Sequence, residues 1–242
     1  MTSPDFSFEK RFWKKGRKLI IGLDEVGRGA FAGPVVTGGV IFKKGVDIGK
    51  LKDNGVKIDD SKKLTAKQRE RADEWIKDNC LCCSVSVISA KKINRVGISK
   101  ATHSGFRRVV ANMQNRLDRR VDFILIDAFY IPYIRGFPKG TKRVQSGWGA
   151  NTRKTKQLAI VNGDQKSFSI AAASIIAKVA RDKLMAKLGE SPRYRKFKWK
   201  KNKGYGTSEH RVAILKYGQT GYHRKKFVET FLSKLNRKQE TL

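Results

Sequence analysis

Apolar and polar positions fall along this chain in blocks that separate strands from helices. Leu19-Ile20-Ile21, followed by Leu23, is a nearly continuous apolar run that predicts a buried strand over about 18–24. Val35-Val36 with Val40-Ile41-Phe42 predicts a second over about 34–42, and the short glycine-rich connection between the two favours an antiparallel pair. Further strands are expected at about 81–88, 122–127 and 157–161. Phe106, Val109, Val110, Met113 and Leu117 recur at helical spacing and predict a helix over about 99–117. The alanine-rich stretch Ser169–Met185 is apolar on more than one face, so it predicts a helix buried against a sheet. Shorter helices are expected at about 66–78, with Thr65 as N-cap, and at about 208–217 and 223–236. Residues 1–18 read as a docked segment or short helix. Strands that begin antiparallel and then alternate with helices fit an α/β mixed sheet with helices on both faces.

Charge narrows the partners. Lysine and arginine number 54 against 21 acids, a net charge of +33, so a polyanion is the default partner. Thirteen phenylalanines and a hydrophobic fraction of 39% exclude a disordered basic tail. No apolar run approaches about 18 residues and no signal-peptide pattern opens the chain, so a soluble cytoplasmic protein without membrane contact is expected. Cys80, Cys82 and Cys83 cluster in a strand-like run with no histidine near it, which predicts packing rather than a zinc site.

The candidate chemistry lies at strand ends. The first strand finishes in Asp24-Glu25 and runs at once into Gly27-Arg28-Gly29; a later apolar run ends in Asp127; the last expected strand is followed by Asn162-Gly163-Asp164. Ligand chemistry in such sheets gathers at the carboxyl ends of the strands, so these four acids can converge. Four convergent carboxylates repel unless cations sit among them, and their hard oxygen ligands suit Mg²⁺ or Mn²⁺, two ions of which would serve phosphodiester hydrolysis. Adjacent residues on a regular strand point to opposite faces, so both Asp24 and Glu25 reaching one site requires the strand to bulge or end there.

The ordered motifs Gly22-Leu23-Asp24-Glu25-Val26-Gly27-Arg28-Gly29, Asp60-Ser61-Lys62-Lys63-Leu64, Ile126-Asp127-Ala128, Gly163-Asp164, Ser169–Lys178 with Arg181-Asp182, Gly204-Tyr205-Gly206-Thr207 and His223-Arg224 resemble ribonuclease HII over about residues 18–227. The resemblance implies a ribonuclease H-like fold with a central mixed five-stranded sheet, flanking helices and C-terminal helices, in a single catalytic domain spanning 1–242. It implies two-metal endonucleolytic cleavage of the RNA strand in RNA–DNA hybrids, and incision at single ribonucleotides in duplex DNA, giving 3′-hydroxyl and 5′-phosphate ends. Asp24, Glu25, Asp127 and Asp164 match the family's metal-binding acids, and Asp182 a supporting position. Gly27, Arg28 and Gly29 with Tyr205 match its readers of the 2′-hydroxyl, and Lys62, Lys63, His223 and Arg224 its phosphate contacts. His103 is expected to be structural and His210 to cap or pack. A monomer is implied, and any replication-clamp partner is left unassigned. The arginine in the turn separates the chain from ribonuclease HIII. Two other readings stay open on the residues: another nuclease or resolvase of the same superfold, or a non-catalytic basic nucleic-acid binder.

Between Asp127 and Asp164 lie 36 residues, a long connection, and its basic part (135–156) holds Arg135, Lys139, Lys142, Arg143, Trp148, Arg153, Lys154 and Lys156. That composition suits a nucleic-acid clamp, whereas a net charge as high as +33 exceeds what the chemistry requires. Deleting 138–154 is expected to weaken hybrid binding and flatten its salt dependence in an anisotropy titration; an unchanged slope would remove the clamp hypothesis.

Overall fold

The first two strands form where the apolar runs demand burial on both faces. β1 (Ile20–Val26) and β2 (Val35–Ile41) pair antiparallel, from Ile21 opposite Ile41 to Val26 opposite Val36. The computed structural model describes residues 3–51, 53–137 and 156–239. Residues 138–155, most of the expected basic clamp, lie outside them. β3 (Cys82–Ile88), β4 (Phe123–Asp127) and β5 (Gln157–Ile160) complete a five-stranded sheet in the order β3-β2-β1-β4-β5. β4 runs parallel to both β1 and β5, so the mixed sheet expected from the pattern is present.

The chain divides into two compact units. One holds residues 1–26, 36–86 and 103–179, and with them most of the sheet. α1 (Ser7–Trp13) is docked in it through Glu9, whose buried carboxylate accepts from Ser167 Oγ at 2.7 Å and Ser169 N at 3.0 Å. α2 (Ala66–Asn79) starts at a capping box: Gln68 N donates to the Thr65 hydroxyl and Thr65 N to the Gln68 side chain. From α4 (Ile98–Leu117), Phe106, Val109, Val110 and Met113 pack with Leu23 and Ile124 in one apolar cluster. From α5 (Phe168–Glu190), Ala172, Ala173 and Ile176 pack with Val40 and Phe42 in another. α3 (Ala90–Val96), capped by Ser89, was not foreseen in the pattern.

The second unit holds residues 27–35, 87–102 and 180–242. Met185, Phe197, Trp199, Ala213, Ile214 and Val228 form its core. Three further helices build it: α6 (Trp199–Asn202), α7 (Ser208–Tyr217), capped by Thr207, and α8 (Lys225–Gln239). The last two match the expected C-terminal helices. Among the described residues no helix is long and apolar enough to cross a membrane. The three cysteines are free thiols, with Cys82 packed in the core as expected.

α5 lies against the sheet backbone itself. A Cβ at Gly22 would overlap the backbone of Ser169 and Ile170, and one at Gly38 the carbonyl oxygen of Ala173. Glycine at these two strand positions therefore sets how closely the helix approaches. Gly38→Ala is expected to destabilise the protein by about 2 kcal/mol through overpacking, read as a lower urea midpoint at unchanged m-value.

Candidate active site

β1, β4 and β5 run in one direction, so their carboxyl ends coincide at one edge of the sheet. Leu23 is registered with Ile126, which brings Asp24 beside Asp127, the last residue of β4. Asp127 is in turn registered with Ile160, the last residue of β5, and a single turn of 3₁₀ helix (Gly163–Gln165) then carries Asp164. That turn is tied back to β4 by Gly163 N, which donates to Asp127 Oδ1 at 2.6 Å. Three of the four expected acids thus come together through strand register.

Glu25 follows a different rule from the one anticipated. β1 neither bulges nor stops at the acid pair, because Asp24 stays opposite Gly38, Glu25 opposite Thr37 and Val26 opposite Val36. Alternation therefore puts Asp24 and Glu25 on opposite faces of the strand. Asp24 is buried and accepts from Glu25 N at 2.7 Å, whereas Glu25 is half-buried. The two charges still act on each other. Burial first, then Glu25 and then Asp127 hold the Asp24 carboxyl well above the usual carboxylate range, against a hydrogen bond from Ser174. Burial also raises Asp127 and Asp164, and Asp60 adds to both shifts.

Asp60 is the member of this group that the sequence reading passed over. It lies in the Asp-Ser-Lys-Lys segment between the residues noticed there and their backbone, and its Oδ1 accepts from Lys62 N at 3.0 Å. Lys62 itself reaches both Asp164 Oδ2, at 3.5 Å, and Asp60 Oδ1, at 3.9 Å, with most of its side chain in solvent. Lys63 turns instead to Asp59 at 3.5 Å. The donor set around Asp24, Asp127 and Asp164 is carboxylate oxygen, raised by burial first and by neighbouring acids next, with Lys62 offsetting only part of this at Asp127 and Asp164, so it fits a hard divalent cation. Among the described residues no three metal-ligating side chains are yet drawn close enough to enclose one.

The second unit assembles the remaining candidates. Phe31 N and Ala32 N donate to Gly204 O at 2.8 and 3.0 Å, tying the chain just after Gly27-Arg28-Gly29 to the Gly204-Tyr205-Gly206 segment. Gly204 has φ +81°, and a Cβ there would overlap the Ala32 carbonyl oxygen, so only glycine permits this join. Two buried guanidinium groups hold the carbonyls of the same loop. Arg181 donates to Pro34 O at 2.9 Å and Ala32 O at 3.3 Å; Arg224 donates to Gly33 O at 3.1 Å and Arg28 O at 2.7 Å. Arg181 also lies over the half-buried Tyr205 ring, 5.2 Å from its centroid, and fills the space that a Cβ at Gly27 would need. Burial and then the neighbouring Arg181 lower the Arg224 pKa to about 9, so it remains charged at neutral pH.

Two expectations change here. His223 and Arg224 are buried, at 1% and 0% exposure, and this burial bars them from the surface where a phosphate contact would lie. Arg224 supports the turn from within instead, and His223 bonds to His210. Arg181 belongs to a matched motif whose Asp182 drew the attention. The available signal was an arginine inside an otherwise alanine-rich, buried helix. Asp182 adds charge support to Arg181, in keeping with the supporting role expected of it.

Residues 21–230 match the family model for ribonuclease HII. The chain is 35% identical over 225 residues to the ribonuclease HII of Caldanaerobacter subterraneus, covering 93% of this chain and 80% of that one. It is 36% identical over 227 residues to that of Caldicellulosiruptor saccharolyticus, covering 94% and 95%. Among solved structures, ribonuclease H2 from Pyrococcus horikoshii superposes with a TM-score of 0.62 at 23% identity, over 88% of this chain and 98% of that one. RNase HII of Archaeoglobus fulgidus, solved in complex with PCNA, gives 0.59 at 24%, over 85% and 93%. Bst-RNase HIII, solved in complex with Mn²⁺, gives 0.58 at 18%, over 91% and 71%. These structural likenesses establish a shared ribonuclease H-like fold.

The raised acids make a stability prediction. A carboxyl with a raised folded pKa favours the fold below its ordinary value, 3.8 for Asp24, and loses that contribution as pH climbs through the raised value. Asp24→Asn is therefore expected to stabilise the metal-free protein at neutral pH, by on the order of 1 kcal/mol in urea unfolding. The gap should close below the ordinary carboxylate range, and a variant no more stable than the parent at pH 7 would contradict it.

Proposed function

The chain belongs to the ribonuclease HII family, and from that premise we propose that it cleaves the RNA strand of RNA–DNA hybrids and incises duplex DNA at single embedded ribonucleotides, leaving 3′-hydroxyl and 5′-phosphate ends. Family membership makes it a ribonuclease H, an endonuclease. The observation that carries the finer reading is the gathering of Asp24, Asp127 and Asp164 at adjoining strand ends, where burial first and neighbouring acids after it raise all three carboxyls. Buried acids that repel one another cost stability, and a divalent cation offsets that cost.

In this reading Asp24, Asp127 and Asp164 hold Mg²⁺ or Mn²⁺, two ions in the working enzyme. Glu25, on the other face of β1 but coupled to Asp24 through its charge, is the fourth acid of the set and reaches a cation only if the end of the strand turns its side chain. Bound there, the cations supply an activated water and neutralise charge on the phosphate and the leaving 3′ oxygen. Asp60 and Asp164 hold the Lys62 ammonium at the rim of this group, where it adds a cation for phosphate, and exposed Lys63 adds another. Gly29, exposed and without a side chain, lets backbone approach a sugar closely. Gly27, Arg28 and Tyr205 complete the reader of the 2′-hydroxyl, the group by which RNA differs from DNA at one nucleotide. The enzyme acts as a monomer on this account.

A DNA duplex bearing one ribonucleotide, incubated with Mg²⁺ or Mn²⁺, is expected to be nicked at that ribonucleotide. Asp127→Asn should abolish nicking and leave binding in place. Cleavage of all-DNA junctions, or none of either substrate, would refute the proposal.

A further inference from the structure

Behind Tyr205 lies a chain of buried ring nitrogens whose protons are all accounted for. His210 and His223 are buried, at 0% and 1% exposure, and their Nε2 atoms face each other at 3.2 Å. Thr220 N, which only donates, is 2.9 Å from His223 Nδ1, so that nitrogen accepts and the His223 proton sits on Nε2. At the other end the Tyr205 carbonyl, which only accepts, is 2.9 Å from His210 Nδ1, so that nitrogen carries the His210 proton. His210 Nε2 is then a bare acceptor. Its single lone pair is shared between the Trp199 indole N–H at 3.0 Å and the His223 N–H at 3.2 Å. Each bond in the series Thr220, His223, His210, Tyr205 thus fixes the direction of the next. The neutral state this requires is consistent with the setting: burial and then His210 hold the His223 pKa down to about 4, and burial lowers His210.

The series ends on the backbone of one residue. The Tyr205 carbonyl also accepts from Thr207 N at 2.8 Å, and Tyr205 N donates to Asn202 O at 2.9 Å. Asn202 in turn donates to Phe197 O and accepts from Gly204 N, both at 2.8 Å. A Cβ at the neighbouring Gly206 would press on the tip of the Phe31 ring, which would have to shift. Local backbone bonds therefore close the turn. His210 adds the side-chain tie that anchors it to the buried core of Trp199 and Phe197. A ring that distinguishes one hydroxyl must stand in place to within a fraction of an ångström, and such placement comes from supporting bonds more than from the reading group.

We infer that His210, oriented by Trp199 and His223, is the positioning residue that sets where Tyr205 stands, so that discrimination of a ribonucleotide from a deoxyribonucleotide depends on the His210 Nδ1–H donor to the Tyr205 carbonyl. The inference rests on the reading of Tyr205 given above. His210 touches no substrate in this account and acts through Tyr205 alone.

Two substitutions separate the two nitrogens. His210→Asn places an amide N–H where Nδ1 stands and keeps the tie to Tyr205, while giving up the acceptor for Trp199 and His223. His210→Gln places its amide near Nε2, keeps that acceptor and loses the donor to Tyr205. Each is compared with the parent and with Tyr205→Phe on a duplex with one ribonucleotide and on the same duplex with 2′-fluoro at that position, with unfolding midpoints recorded alongside. His210→Gln is expected to lower kcat/KM on the ribonucleotide duplex about tenfold, to erode the preference over 2′-fluoro as Tyr205→Phe does, and to leave affinity for all-DNA duplex unchanged. His210→Asn should recover to within about threefold of the parent. Trp199→Phe, which removes the indole donor and keeps a ring, should fall in the same direction by a smaller factor, and reads the dependence if a histidine variant does not fold.

Equal losses in the Asn and Gln variants would assign His210 a packing role only and overturn the inference. Parental discrimination in His210→Gln beside a damaged Tyr205→Phe would overturn it while leaving the reading of Tyr205 intact. Parental discrimination in Tyr205→Phe itself would overturn both.

Discussion

Carboxylates held out of water at adjoining strand ends are the constraint that the sheet has to withstand, burial raising each of Asp24, Asp127 and Asp164 and neighbouring acids adding to it. Asp24 and Asp127 sit at the ends of neighbouring parallel strands, where hydrogen-bonded register leaves neither free to move away from the other. Asp164 is kept close by the short turn that Gly163 ties to Asp127. The glycines at 22 and 38 let α5 press onto this end of the sheet and deliver Ser174 to Asp24. Rigid confinement raises the energy of the ionised, metal-free state and lowers the reorganisation needed to take up a cation. The same packing that makes the site costly makes it ready.

Much of this was legible because burial writes itself into periodicity. The five strands, the helix over 98–117 and the long helix from 168 each appear as apolar patterns of the right length. The acids were legible because each follows such a pattern directly. What escaped has a physical reason in each case. α3 spans seven residues, two turns, too few for a periodic signal to rise above its neighbours. β3 runs against the polarity of its residues: Ser84 and Ser86 are buried while Val85 and Val87 face outward, at 39% and 44% exposure. Polarity alone would have turned that strand over. Regular pairing through Val26 likewise replaced the anticipated bulge, because a strand can carry adjacent acids on two faces and still couple them at short range.

The second unit shows a different kind of illegibility. Arg181, Arg224, His210 and His223 are charged or polar in sequence, and His223 and Arg224 were expected to contact phosphate, yet all four lie inside. Their partners are backbone carbonyls and other rings, which no motif displays. The two guanidinium groups replace the ladder that the turn between β1 and β2 lacks, satisfying three consecutive carbonyls at 32, 33 and 34 and a fourth at 28. Carbonyls drawn inward in this way leave a loop whose outer face is not dominated by acceptors. Buried cations are expensive, and among the described residues only Arg181 of the two has a carboxylate, Asp182, acting on its charge, which ties the shape of this loop to the integrity of the unit around it.

Among the described residues β3 closes one side of the sheet, and it does so with two outward valines. The valines place apolar side chains in solvent on one face of the strand, and one of its carbonyls, Cys83 O, accepts from Arg116 at 2.9 Å. The net charge of +33 works against contact between copies through that face, since like-charged molecules stay apart over a screening length of about 8 Å at physiological ionic strength. Colloidal behaviour is therefore coupled to the polyanion. Nucleic acid that neutralises the surface, or concentrated salt that screens it, lowers that repulsion and leaves the two outward valines as they are.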